Sequence, residues 1–283
     1  MKKLLKPLLP PNILESLIQY KILLQQKFKY GDKDFRKNSR LKNSHPNKRC
    51  FVICLGESIN KQDLTLLENE FVISVSSFFA HKDVKKVKPN YHVLSPTFAY
   101  HSKHLIPDTI ISWWRAMDEG LDDETIMFMH IGDKVHVEQH NVFKNKKIYW
   151  VNYIPWFRED INEIELDRIP SIQSVSEAAL SVALYLGFEK IFMLGFDHTW
   201  YEKHENYFDP NALKKLFKKY PREIWQECKV DSEHQMRRHA KMFKKYKKLY
   251  HMKQNIFNAN ANENTYVDTF PKVKYEDLFQ ERE

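Results

Sequence analysis

Glycine is scarce in this chain, with 6 residues among 283. Neither the G-x-G-x-x-G fingerprint of a dinucleotide site nor the Gly-Lys-Ser/Thr ending of a P-loop occurs, so a phosphate cradle of either glycine-rich type is excluded. Cysteine is scarce too. The three thiols, Cys50, Cys54 and Cys228, are odd in number, and two lie in or beside an apolar run where a thiol acts as a small hydrophobe. That usage fits a reducing compartment and excludes a disulfide framework, and the Cys50/Cys54 spacing within one strand excludes a zinc knuckle. No run reaches the roughly 18 uncharged apolar residues of a spanning helix. The opening "MKKLLKPLLPPNILESLIQYKILLQQKFKYG" lacks a small-residue cleavage site. Together these absences predict a cytoplasmic protein, neither secreted nor membrane-spanning.

What is present is bulk and positive charge. At 42% hydrophobic and 14% aromatic the chain can bury one sizeable core. The formal charge is +8, much of it near the ends. Lys2, Lys3, Lys6, Lys21, Lys27 and Lys29 intersperse with leucine and isoleucine ahead of a polar stretch, "DKDFRKNSRLKNSHPNK", that reads as a linker. A basic amphipathic arm of this kind can lie on an anionic membrane surface, here the inner face of the cell membrane. The alternative is a helix packed on the main domain or on a second subunit of a homo-oligomer. The basic residues do not alternate with aromatics in a recognisable module, so no nucleic-acid partner is expected.

From Lys48 the pattern becomes α/β. The runs "CFVICL", "FVISV", "YHVL", "TIMFMHI", "KIYWVNYI" and "KIFMLGF" read as buried strands, with "NIFNAN" a weaker last member. The clearest helix is "SVSEAALSVALYLG", opened by serines and closed by Gly187. Strand and crossover in alternation imply a mostly parallel, Rossmann-like sheet flanked by helices. Such sheets bind ligands at the carboxyl ends of their strands. Five polar loops fall there: "LGESIN" with Gly56, Ser58 and Asn60; Ser76 and Ser77; "LSPTFAYH"; "IPSIQSVSE"; and "GFDHTWYEKHENYFD". Gly56 permits close backbone approach directly after the first strand. Ser174 and Ser176 open the clear helix, where one serine can cap and the other can contact an anion. Asp197 could bind a ribose hydroxyl, bind a metal, or fix the loop that follows. "HVEQH" spaces His136 and His140 at i, i+4 but lacks the metalloprotease glutamate, and no metal is assigned. The aromatic "SWWRAMDEG" and "YWVNYIPWF" are expected to pack an inserted subdomain, with stacking of an acceptor sugar as the alternative.

In their order, "CLGESINKQDLTLLENEFVISVSSFF", "LSPTF", "SIQSVSEAALSVALYLGFEKIFMLGFDHTWY" and "IFNANANENTYVDTFPKV" resemble the bacterial superfamily of MptE-like proteins, motility accessory factors and CMP-sialic-acid-dependent sialyltransferases. The resemblance covers roughly residues 48 to 272. It implies a GT-A-like nucleotide-binding domain over 48–272 with a helical lid at about 197–232, preceded by an arm and linker (1–47) and followed by a tail (273–283). It implies a metal-independent, inverting transfer of an acidic sugar (sialic acid, another nonulosonic acid or Kdo) from a CMP donor to a glycan or lipid-linked oligosaccharide in surface polysaccharide synthesis, with no cofactor. His234, in "DSEHQMRRHAKMFKKY", stands where the family's general base would sit, with His204 and His239 as alternatives. Tyr201 and Tyr207 would hold the leaving phosphate. Gly56, Ser58, Ser76, Ser95, Ser174, Ser176 and Asp197 would line the nucleotide-sugar site. Leu55, Ser76 and Ser95 stand where the sialyltransferases carry asparagines, which leaves the nucleotide's identity open. An MptE-like diphosphokinase using ATP and Mg²⁺, or a non-catalytic nucleotide-binding protein, is the alternative.

Overall fold

The computed structural model describes residues 11–97, 108–155, 161–199, 232–261, 265 and 267–282. A helix α1 (Pro11–Tyr30) precedes β1 (Arg49–Ile53), β2 (Phe71–Val75), α2 (Val84–Val87), β3 (Tyr91–Val93), α3 (Asp108–Gly120), β4 (Ile126–His130), α4 (Lys134–His140) and β5 (Ile148–Val151). Two short strands, β6 (Tyr153–Ile154) and β7 (Ile169–Pro170), lead to α5 (Val175–Leu186), β8 (Lys190–Leu194), α6 (Ser232–Met252) and β9 (Ile256–Asn258).

The main sheet has seven strands in the order β5-β4-β3-β2-β1-β8-β9, and every pairing is parallel. The fold is therefore a Rossmann-like α/β sheet. Unbroken apolar strands are what such a sheet requires, because both faces are covered. Alternate residues serve opposite faces. Cys50, Val52, Ile191 and Met193 pack with Ala178, Val182 and Leu186 of α5 and Met242, Tyr246 and Leu249 of α6. Phe51, Ile53, Phe192 and Leu194 join Phe78, Trp114 and Tyr275 on the other face. Burial pushes both the Cys50 and Cys54 thiols up, so each is an apolar core residue.

Three stretches fold differently from their local pattern. "KIYWVNYI" divides: β5 joins the main sheet, whereas β6 leaves it to pair with β7, because Asn152 exchanges backbone hydrogen bonds with Leu166 and Ile169. The polar stretch read as a linker is packed. Asn38 is buried with its Nδ2 donating to Trp150 O at 2.9 Å, and the amides of Asn43 and His45 donate to the carbonyls of Tyr185 and Leu186 at the end of α5. The aromatic run of α3 serves the main core, with Trp114 fully buried and Trp113 Nε1 donating to Ser77 Oγ. His136 and His140 lie in the helix α4.

Candidate functional site

The strand order reverses between β1 and β8. From β1 the chain builds outward to β5, then returns to place β8 on the other side of β1. A parallel sheet opens its ligand crevice outside the carboxyl ends at such a switch point. The two loops that meet there are the one after β1 (54–58) and the one after β8 (195–199).

They are held in close apposition. Cys54 N donates to Leu194 O at 2.8 Å and Gly56 N to Gly195 O at 2.9 Å. A Cβ on Gly56 would collide with the Asp197 carboxylate and lie 2.6 Å from Gly195 O. Its backbone is ordinary, at φ −64°, so the need for glycine is one of space. Gly195 adds a φ of +60° and would bring a Cβ 2.6 Å from Cys54 O. Asp197, 2% exposed, accepts from Ser58 N at 3.0 Å and from Asn260 Nδ2 at 2.5 Å. The Ser58 hydroxyl donates to Asn260 Oδ1, which also accepts from Phe196 N. Asp197, Ser58 and Asn260 thus pin together the loops after β1, β8 and β9.

A second set lies on the α5 side. Ser174 caps α5, with Glu177 completing the capping box. Its Oγ is 2.7 Å from Ser176 Oγ, which is 2.8 Å from Tyr246 OH, which is 3.1 Å from His198 Nε2. Four residues from three elements form one hydrogen-bonded row between the start of α5 and the end of β8. Every hydroxyl in it both donates and accepts, so the row can run in either direction. His198 adopts φ +50°, and burial first, then His239, holds its pKa down at about 3, so the ring is neutral. Burial pushes the Tyr246 phenol well up, so it keeps its proton. The His239 ring stands 6.5 Å from that of His198, on the buried face of α6.

Beneath them, Lys245 Nζ donates to Pro170 O at 2.7 Å and lies 3.8 Å from Glu177 Oε1. Burial lowers Lys245 to about 8 and raises Glu177, each toward its neutral form, and each partner's charge opposes the shift. Glu177 Oε2 accepts from the amides of Gln173 and Ser174. Those two amides, just ahead of α5, are therefore already served from within the chain.

No family model matches the chain, and no curated protein does. Among solved structures, the chain is similar to the sialyltransferase CstII from Campylobacter jejuni in complex with a substrate analogue, cytidine-5′-monophosphate, at 13% identity and a TM-score of 0.41, over 81% of this chain and 85% of that one.

Of the residues named from sequence, Gly56, Ser58, Ser174, Ser176 and Asp197 gather around the β1–β8 junction. Ser76 follows β2 at φ +50°, its carbonyl accepting from His92 Nε2 at 3.0 Å. A carbonyl can only accept, so His92 carries its proton on Nε2, and Nδ1 accepts from Ser74 Oγ at 2.7 Å. Ser95 is half-buried just after β3. His234 lies in the first turns of α6, with its side chain outside the described residues. Tyr201, Tyr207 and His204, and nearly all of the expected lid, also lie outside them.

Sequence reasoning missed Asn260, Tyr246 and His198. Tyr246 follows His239 by seven positions, two helical turns along one face, and that spacing was a readable signal. Also missed was a buried group at the ends of β3 to β5. Asp133, raised to about 7 chiefly by burial, accepts from Thr97 Oγ1 at 2.5 Å, and His130 stacks on Tyr153 with ring centroids 5.8 Å apart.

Proposed function

We propose that the chain is a glycosyltransferase that moves an acidic sugar of the sialic, other nonulosonic or Kdo type from a CMP donor to a glycan or lipid-linked acceptor, with inversion and without a metal. The observation that carries this reading is the convergence at the β1–β8 switch point. Loops from β1, β8 and β9, the start of α5 and the inner face of α6 bring serines, a tyrosine and histidines together there. The motif order in the sequence supports a CMP-sugar as the occupant of that switch point. Asp197, the carboxylate at this junction, accepts from a protein N–H donor at each oxygen, and its part in this reading is to hold the loops together.

In the proposed reaction the acceptor oxygen attacks the anomeric carbon. The bond from that carbon to the CMP phosphate breaks, its electron pair leaves with the phosphate, and the acceptor proton passes to His234. An imidazole, with an ordinary pKa of about 6.5, suits that exchange. Tyr201 and Tyr207 would donate to the phosphate as it gains charge. Ser174, half-buried at the end of the hydrogen-bonded row, is the group of that row best placed to meet the donor.

Incubation with CMP-sugars and nucleotides, with and without EDTA, tests the reading through thermal shift and CMP release. CMP binding and EDTA-insensitive CMP release are expected. Replacement of His234 by Ala should lower turnover about 10²- to 10⁴-fold while CMP binding is retained, because base catalysis acts on the transition state. Binding of ATP but not CMP, with activity abolished by EDTA, would indicate the diphosphokinase instead. Binding without turnover of any donor would indicate a non-catalytic protein.

A further inference from the structure

Helix α1 has two faces that bury different amounts. Gln19 is buried, Ile22 and Leu23 are half-buried, and Tyr30 packs against the core that holds Trp114 and Phe143. Just beyond the helix, Asp34 pairs with Lys134 of α4 at 2.6 Å, which fastens this end to the domain. The opposite face is apolar and open: Leu17 is 51% exposed, Tyr20 63%, Leu24 38% and Phe28 88%. At 100° per residue these four positions fall within about 80° of one another and extend over about 16 Å of helix. A stripe of large apolar side chains on a helix already anchored by its other face is the mark of a surface that meets something else.

We propose that this stripe docks on an anionic lipid surface. Charge decides the occupant. Residues 1–30 contain Lys2, Lys3, Lys6, Lys21, Lys27 and Lys29 against a single acid, Glu15. Exposed Lys21 lies beside the stripe, one position after Tyr20. A second copy of the chain laid on the stripe would bring two such basic helices together, and like charges at that distance repel. An anionic bilayer surface instead attracts each lysine while the leucines and phenylalanine enter the boundary between headgroups and acyl chains. No helix among the described residues is long and apolar enough to cross a membrane, so the contact is one of lying on the surface. The inference is independent of the proposed transferase activity.

The test is sedimentation of the full chain with vesicles of phosphatidylcholine alone and of phosphatidylcholine containing phosphatidylglycerol, without any sugar donor. Binding is expected to the anionic vesicles only, and to weaken as salt rises. The double variant Leu24→Ser/Phe28→Ser should lose at least about tenfold in partitioning, since each side chain forfeits burial of apolar area. Lys21→Glu should lose roughly fivefold or more. Because these side chains are exposed, circular dichroism and melting should match wild type. Equal binding to both vesicle types, unchanged binding by the variants, or a dimer in solution that the double variant converts to monomer would overturn the proposal.

Discussion

At the scale of the residue, Gly56 illustrates how a position can be singled out for one reason and be required for another. A glycine after a first strand suggests backbone offered to a ligand, whereas here the missing Cβ makes room for the Asp197 carboxylate and the Gly195 carbonyl. Since φ is −64°, alanine meets no conformational penalty, and any effect of Gly56→Ala is one of packing. The carbonyl belongs to the backbone of the loop after β8 and cannot swing aside as a flexible side chain would. We therefore expect Gly56→Ala to cost about 1–3 kcal/mol, the usual range for forcing an extra carbon into a packed site. Urea denaturation reads this directly. A midpoint unchanged from wild type would mean that the junction yields more easily than its hydrogen bonds suggest.

At the scale of elements, the packing of α5 against α6 depends on a buried pair that hydrophobic periodicity does not reveal. Lys245 is 7% exposed and Glu177 is fully buried, and the lysine also satisfies the carbonyl of Pro170 at the end of β7. Lys245→Met would strand Glu177. A buried carboxylate without its partner costs about 3–5 kcal/mol near pH 8. The loss should shrink toward pH 5, because the raised pKa of Glu177 lets it take up a proton and become neutral. Adding Glu177→Gln should recover most of the stability at pH 8, as the amide oxygen still accepts from Gln173 and Ser174. A loss at pH 8 below about 1 kcal/mol, or one that does not depend on pH, would show that the pair contributes little beyond its shape.

At the scale of the whole molecule, buried neutral imidazoles govern the response to acid. Burial holds His92 and His198 at about 3 and His130 at about 4, below the ordinary value near 6.5. Their folded pKa values are depressed, so the unfolded chain takes protons first as pH falls. The stability they contribute is intact above about 6.5 and is lost toward 4, at up to about 1.4 kcal/mol per pH unit for each group. Asp133 works the other way. Raised to about 7 from 3.8, it keeps a proton that the unfolded chain releases, so its contribution is greatest in acid and fades as pH rises through 7. Burial also lowers His45 and His136 and raises Glu177, so five lowered histidines oppose two raised carboxyl groups, and the melting temperature should fall between about pH 6.5 and 4.5. Asp133→Asn should steepen that fall by removing one of the opposing groups. A flat profile in wild type would contradict the neutral, buried state of the histidines.

The strands, the parallel sheet and the borders of α5 were legible in the sequence because each rests on a local pattern. An unbroken apolar run flanked by helices belongs in a sheet covered on both faces, and Ser174, Glu177 and Gly187 announce their helix ends within a few residues of chain. The loops of the candidate site were picked out by the same reading, since they fall at strand ends. Only the tertiary structure decided that β8 lies beside β1, and that adjacency sets Gly56 against Gly195 and Asp197 against Asn260. It also decided that Asn152 turns "KIYWVNYI" out of the main sheet, and that Ser176, Tyr246 and His198 meet in one row. Those contacts join residues far apart in the chain, and periodicity, which repeats every two or 3.6 residues, carries no information about which distant segment will lie alongside.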